Sequence, residues 1–143
     1  MRRVFFDTNV IIDFLADRKP FSIYAAKLFE YAAKKTIIIH VSAVSYNNIY
    51  YIMRKSLSNA ATIRILFDLN KLVDVIEVNG EVIRSSLSSG FVDFEDAIQY
   101  NCAKRIINLD CIVTRDSDGF KKSTLSVMTP LELLSLIESD QFL

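Results

Sequence analysis

Apolar residues along the chain fall into two alternating kinds of run. Short, mostly uninterrupted apolar runs at Val4–Phe6, Ile37–Val41, Val73–Val78, Ile112–Thr114 and Leu125–Met128 are rich in β-branched and aromatic residues, as expected of strands covered on both faces. Between them the apolar spacing changes to three and four. In "SIYAAKLFEYAAKK", Ala25, Leu28, Phe29, Ala32 and Ala33 share one helical face behind Ser22, a candidate cap. The spacing predicts a helix from about Ser45 to Lys55 with Ile49, Ile52 and Met53 inward, and another from near Ser58 carrying Ile65, Leu69 and Leu72. Shorter helical patterns follow at Glu81–Leu87 and Phe94–Ile107, and "PLELLSLIES" closes the series with Pro130 in a first-turn position.

Strands alternating with helices imply right-handed crossovers and a parallel sheet with helices on both faces. In such open sheets ligands sit beyond the carboxyl ends of the strands. The residues just after each strand are therefore the ones to inspect: Asp7-Thr8-Asn9, Ser42, Asn79-Gly80, Thr114-Arg115-Asp116 and Thr129. Ser42 reads as a helix cap.

Each acid near these edges has a structural reading of its own. Asp7 can cap the helix that follows it, Asp93 and Asp96 resemble a capping box, and Asp118-Gly119 reads as a tight turn approached by Asp116. Together they suggest more. If the first and fourth strands are neighbours, Asp7, Asp96 and Asp116 meet in one cleft. Two like charges 4 Å apart repel by about 4 kcal/mol at an effective dielectric near 20. Relief comes from protonation or from a cation, and hard oxygen ligands suit Mg²⁺ or Mn²⁺. A metal-held water attacks phosphorus without a histidine base, which matters in a chain whose only histidine is His40.

Composition changes this picture little. The 143 residues suit one domain, 1–143, and five Gly and Pro residues together leave little linker material. Zero net charge excludes a general polyanion-binding surface, so contact with nucleic acid needs a local basic rim: Arg54-Lys55, Arg115 and Lys121-Lys122 are the candidates. Lys55, two helical turns from Asn48, would overlook the cleft. The two cysteines, Cys102 and Cys111, lie in apolar stretches without metal-type spacing and read as buried thiols. No apolar stretch approaches membrane-spanning length, which makes a cytoplasmic protein the expectation.

Four segments taken in order, "VFFDTNVIIDFL", "VSAVSYNNIYYI", "DFEDAIQYNCA" and "IVTRDSDGF", resemble the PIN domain family, and in particular its small, single-domain, VapC-toxin-like members. The resemblance extends from Val4 to about Glu138. It implies an α/β fold, a three-layer α/β/α sandwich around a parallel five-stranded sheet in the order 3-2-1-4-5. It also implies Mg²⁺- or Mn²⁺-dependent endoribonuclease activity on single-stranded or structured RNA, an antitoxin protein as partner, and a homodimer. By matching positions Asp7, Asp96 and Asp116 become the catalytic metal ligands, supported by Asn9 and Thr114, with Lys55, Arg115 and Lys121 as substrate contacts.

Two departures qualify the match. The family's Glu six residues after the post-strand Ser falls here on Asn48, an amide that can donate an oxygen but no charge. The acid usual before Phe120 is Gly119, and Asp118 is the nearest substitute ligand. Losing one charge opens the alternative of a catalytically weakened RNA-binding or protein-interaction module on the same fold. Phosphotransfer folds of related topology fit less well. A haloacid dehalogenase-type phosphatase needs an Asp where Asn9 stands, and a response-regulator receiver needs a Lys where Thr129-Pro130 stands.

Overall fold

A computed structural model describes residues 1–140. Five strands, β1 (Arg2–Phe6), β2 (Ile37–Ser42), β3 (Val73–Ile76), β4 (Cys111–Val113) and β5 (Val127–Met128), pair in parallel in the order β3-β2-β1-β4-β5. Val4 sits beside Ile39 on one side and Cys111 on the other. The order reverses between β1 and β4, so their carboxyl ends flank the switch-point crevice where open α/β sheets bind ligands.

Alternation along β1 sorts its side chains into two cores. Val4 and Phe6 point into a cluster with Ile39, Val41 and Val113, while Phe5 and Ile112 point into another. The first is covered by α1 (Thr8–Leu15), α2 (Phe21–Ala33), α3 (Ala43–Met53), α4 (Asn59–Asn70) and α7 (Pro130–Asp140), through residues such as Ile11, Leu28, Ile49, Leu69 and Leu133. The second is covered by α5 (Gly80–Leu87), α6 (Phe94–Ala103) and a 3-10 turn, Ser117–Phe120, through Val82, Ile98 and Phe120. The result is the expected three-layer sandwich.

Local chemistry sets several helix starts. Ser42 accepts from the Val44 amide at 3.1 Å, Ser58 from Ala61 at 3.1 Å, and Asp93 from Asp96 at 3.0 Å. Because Ser42 is the cap, α3 begins at Ala43, two residues before the expected Ser45. Ser22 is not a cap: α2 starts at Phe21 behind Pro20, and Ser22 lies inside the helix, buried. At its other end α6 stops at Ala103, short of Ile107, in a series of tighter turns that leads to Asn108 at φ 60°. Cys102 and Cys111 are buried free thiols. Among the described residues no helix is long and apolar enough to cross a membrane.

Candidate active site

Strand β1 continues its ladder one residue past its end, the Asp7 amide donating to the Val113 carbonyl at 2.9 Å. That bond places Asp7 beside the last residues of β4, only 5% exposed. Its carboxylate does not cap α1 among the described residues. Instead Oδ2 accepts a hydrogen bond at 2.8 Å from the hydroxyl of Thr114, itself fully buried. The same Thr114 oxygen accepts from the Asp116 amide at 3.0 Å. One hydroxyl thus ties the acid after β1 to the acid after β4. Capping, the bland reading of Asp7, is not what its side chain does here.

Asp96 enters from the opposite wall, in the first turn of α6. Gly119 shows how near it comes to Asp116: a Cβ added there would stand 2.5 Å from Asp96 Oδ2 and 3.6 Å from Asp116 Oδ2. The space a side chain would fill is left to two carboxylates. Asp96, Asp116 and Gly119 line one cleft of about 440 Å³.

The electrostatics record the crowding. Burial pushes Asp7 up to about 6, with the charges of Glu95 and Asp116 adding to the shift and the Thr114 hydroxyl and Thr8 amide opposing it. Asp96 is pushed up to about 7, first by desolvation and then by the charges of Asp7, Asp93, Asp116 and Glu95. Positive charge in the cleft would lower both.

Behind these acids lies a polar knot that the motif reading passed over. The hydroxyls of Thr8 and Ser45 share a hydrogen bond at 2.6 Å, and the Gln99 amide donates to both, at 2.9 and 3.2 Å. All three side chains are buried. Thr8 follows Asp7 and Gln99 stands one turn after Asp96, so the knot fixes α1, α3 and α6 relative to one another directly beneath the carboxylates. Polar residues at i+1 and i+3 from two candidate ligands were the available signal.

The remaining candidates separate. Asp118 and Lys121 line the cleft, their exposed side chains 3.9 Å apart in an ion pair. Asn9 supplies a buried Oδ1 with no hydrogen-bond partner among the described residues. Asn48 lies one turn beyond Ser45 on α3, half-buried, with no side-chain hydrogen bond among the described residues. Lys55 is exposed in the turn after α3 and does not line the cleft. Arg115 is not a free rim cation. Its Nε and Nη2 donate to the two carboxylate oxygens of Asp13 at 2.5 and 3.1 Å, and its guanidinium lies 4.2 Å from the centre of the Phe21 ring. Asp13 is 1% exposed, a buried acid the sequence reading did not weigh.

The donor set suits a hard divalent cation, being all oxygen and anionic, with the Gly119 cradle kept open between two donors. No group of three or more acid, histidine or cysteine side chains among the described residues is set closely enough to hold an ion as it stands.

No curated protein matches the chain in sequence. Among solved structures it is similar to VapBC2 from Rickettsia felis bound to a promoter DNA fragment, at 16% identity and TM-score 0.65, covering 89% of this chain and 98% of that one. It is similar to VapBC-1 from nontypeable Haemophilus influenzae at 16% identity and TM-score 0.66, covering 90% and 98%. It also resembles Mycobacterium tuberculosis VapC20, a sarcin–ricin loop cleaving toxin, at 14% identity and TM-score 0.65, covering 83% and 94%. These are likenesses of fold. The family model for the PIN domain matches residues 3–118, the span that contains every acid described above, and the chain belongs to the PIN domain family.

Proposed function

We propose that the chain is a divalent-metal-dependent endoribonuclease of the PIN type and the toxin of a toxin–antitoxin pair. The observation that carries this reading is the convergence of remote carboxylates. The Thr114 hydroxyl donates to the Asp7 carboxylate and accepts from the Asp116 backbone amide, and the Asp96 and Asp116 carboxylates both border the space beside Gly119. The structural neighbours named as VapBC and VapC proteins support the toxin assignment and an antitoxin protein as partner.

Asp7, Asp96 and Asp116 would hold Mg²⁺ or Mn²⁺, with Asn9 and Asp118 nearby as further oxygen donors. When bound, the ion supplies Lewis acidity to a phosphodiester and lowers the pKa of a water. The chain's own residues do the positioning. Thr114 holds the Asp7 carboxylate by one oxygen and leaves the other unbonded to it. Asp93 caps α6 and so presents Asp96 in the first turn. The Thr8–Ser45–Gln99 knot keeps the three helices from drifting apart. Lys121, on the rim, offers a cation to the RNA backbone.

Purified protein incubated with labelled RNA and Mn²⁺ should cleave it. Asp7→Asn, which keeps an acceptor for Thr114, should lower the rate at least 100-fold, on the order of 3 kcal/mol of transition-state stabilisation. Equal cleavage by both proteins would sink the proposal.

Asn48 favours a second reading, a weakened PIN module that binds RNA or a partner without efficient cleavage. Asn48→Glu decides between them: a large rise in metal affinity and cleavage marks the native site as impaired, and no change removes position 48 from the ligand set.

A further inference from the structure

Asp13 is an acid that does not line the cleft. It is 1% exposed, in the last turn of α1, and a buried carboxylate is costly unless it is paired. Its partner is Arg115, in the segment that leaves β4. Arg115 Nε and Nη2 donate to one carboxylate oxygen each, at 2.5 and 3.1 Å, and the guanidinium carbon stands 4.2 Å from the centre of the Phe21 ring on α2. A two-point bond on one side and a ring on another fix both the place and the plane of the guanidinium. An apolar pair would join α1 to this segment without burying a charge, so what the ion pair adds is direction.

Direction matters here because of what stands on either side of Arg115. Val113 faces the cluster covered by α1 and α2, and Ile112 faces the one covered by α6. The extended chain carries that alternation onward. Arg115 turns to α1 and α2, while Thr114 turns to Asp7 and Asp116 to the cleft. The Thr114 amide is fixed by the Met128 carbonyl at 3.0 Å, and the Asp116 amide by the Thr114 hydroxyl at 3.0 Å. Asp116 itself is exposed, so its carboxylate stands where this backbone puts it. Helix α1 begins at Thr8, directly after Asp7. A ring of contacts therefore closes, from Asp7 along α1 to Asp13, across to Arg115, and back through Thr114 to Asp7. Asp116 leaves that ring at the residue after Arg115.

We infer that Arg115, clamped by Asp13 and Phe21, is a positioning residue that sets the Asp116 carboxylate against the Asp7 carboxylate for the divalent ion. This inference rests on the metal-dependent reading above and adds to it residues that act through Asp116 without touching the ion. Opening the ring at Arg115 frees the Asp116 backbone, and the cost of ordering it again is then subtracted from cation affinity.

The test reads Mn²⁺ affinity by electron paramagnetic resonance, with urea denaturation of every variant beside it. Arg115→Lys keeps a charge for Asp13 but loses the fork and the flat stack. It should weaken Mn²⁺ binding about tenfold, the lower end of what losing an outer partner of a ligand costs. Phe21→Leu leaves the ion pair intact and should weaken binding by less, at most about fivefold, the whole worth of one exposed cation–π contact. Leu69→Val trims the core on α4, away from the site, and should lower stability with Mn²⁺ affinity kept. In an Asp116→Asn background, Arg115→Lys should leave the remaining Mn²⁺ affinity unchanged while still lowering stability, because the group it places is gone. Unaltered binding by Arg115→Lys, an equal loss of binding in Leu69→Val, or the same factor lost with and without the Asp116 carboxylate overturns the positioning role and leaves the nuclease reading standing. No Mn²⁺ binding by the unsubstituted protein, together with no cleavage of RNA, overturns both.

Discussion

The buried side of the site, which lies behind the cleft lining, and its exposed side are built on opposite principles. On the β1–β4 wall Asp7 and Thr114 are buried and hydrogen-bonded, and a few residues away Asp13 grips Arg115 at two points. On the α6 wall and the 3-10 turn, Asp93, Glu95, Asp116 and Asp118 are exposed and Asp96 is half-buried. There Asp96 and Asp116 face one another over Gly119, and the ion pair of this wall is the exposed Asp118–Lys121 contact at 3.9 Å. One wall is preassembled by hydrogen bonds. The other is held by its backbone against its own charge, and is the part a bound cation would draw together.

The contrast is broken most severely on the bonded wall. Arg115→Met leaves the Asp13 carboxylate buried without its partner, and removing one member of a buried pair typically costs 3–5 kcal/mol. Arg115 is partly exposed, so a loss of about 3 kcal/mol is expected by urea denaturation. Asp116→Asn, on the exposed side, should change stability by less than about 0.5 kcal/mol. Similar losses for both would erase the distinction drawn here.

Next in size is a pH effect in metal-free buffer. Asp7 and Asp96 take up protons near pH 6 and 7 in the folded chain, against 3.8 as the ordinary value. The folded state then binds more protons than the unfolded one, so stability falls as pH rises from about 4 to 7. Asp7→Asn should flatten this slope and stabilise the metal-free protein at pH 8 by about 2 kcal/mol. Thermal denaturation across that pH range checks it, and a flat profile in the unsubstituted protein contradicts the crowding. Saturating Mn²⁺ should reverse the sign of the comparison at pH 8.

The smallest expected effect sharpens the picture of the open wall. Gly119→Ala puts a methyl group where Asp96 Oδ2 now lies within 2.5 Å, so Asp96 must swing away from Asp116. Mn²⁺ affinity, read by electron paramagnetic resonance, should fall roughly tenfold, about 1.4 kcal/mol. Unchanged affinity would show that Asp96 and Asp116 do not share an ion.

Much of this was readable along the chain. Asp93 was legible as the α6 cap because a cap joins residues three apart, and the central strands β1, β2 and β4 showed as apolar runs because they are covered on both faces. Ends were less legible. Ser22 has a capping residue's chemistry, yet α2 starts one residue earlier, behind Pro20. Arg115 read as a rim cation because nothing near it in sequence announces Asp13, 102 positions away. Gln99 carried no local signal of its partners, Thr8 and Ser45 lying 91 and 54 positions away.

Taken alone, the sequence determined the kinds and order of the elements and the family to which the chain belongs. Those rest on periodicity, capping and short motifs, all of them interactions within a few residues. Which hydroxyl links the Asp7 carboxylate to the Asp116 backbone, which arginine is committed to a buried acid, and why position 119 carries no side chain were decided only by the tertiary structure. Each is a contact closed across a parallel sheet, where the strands that meet are separated in sequence by whole helices, and no local pattern encodes which partner will be there.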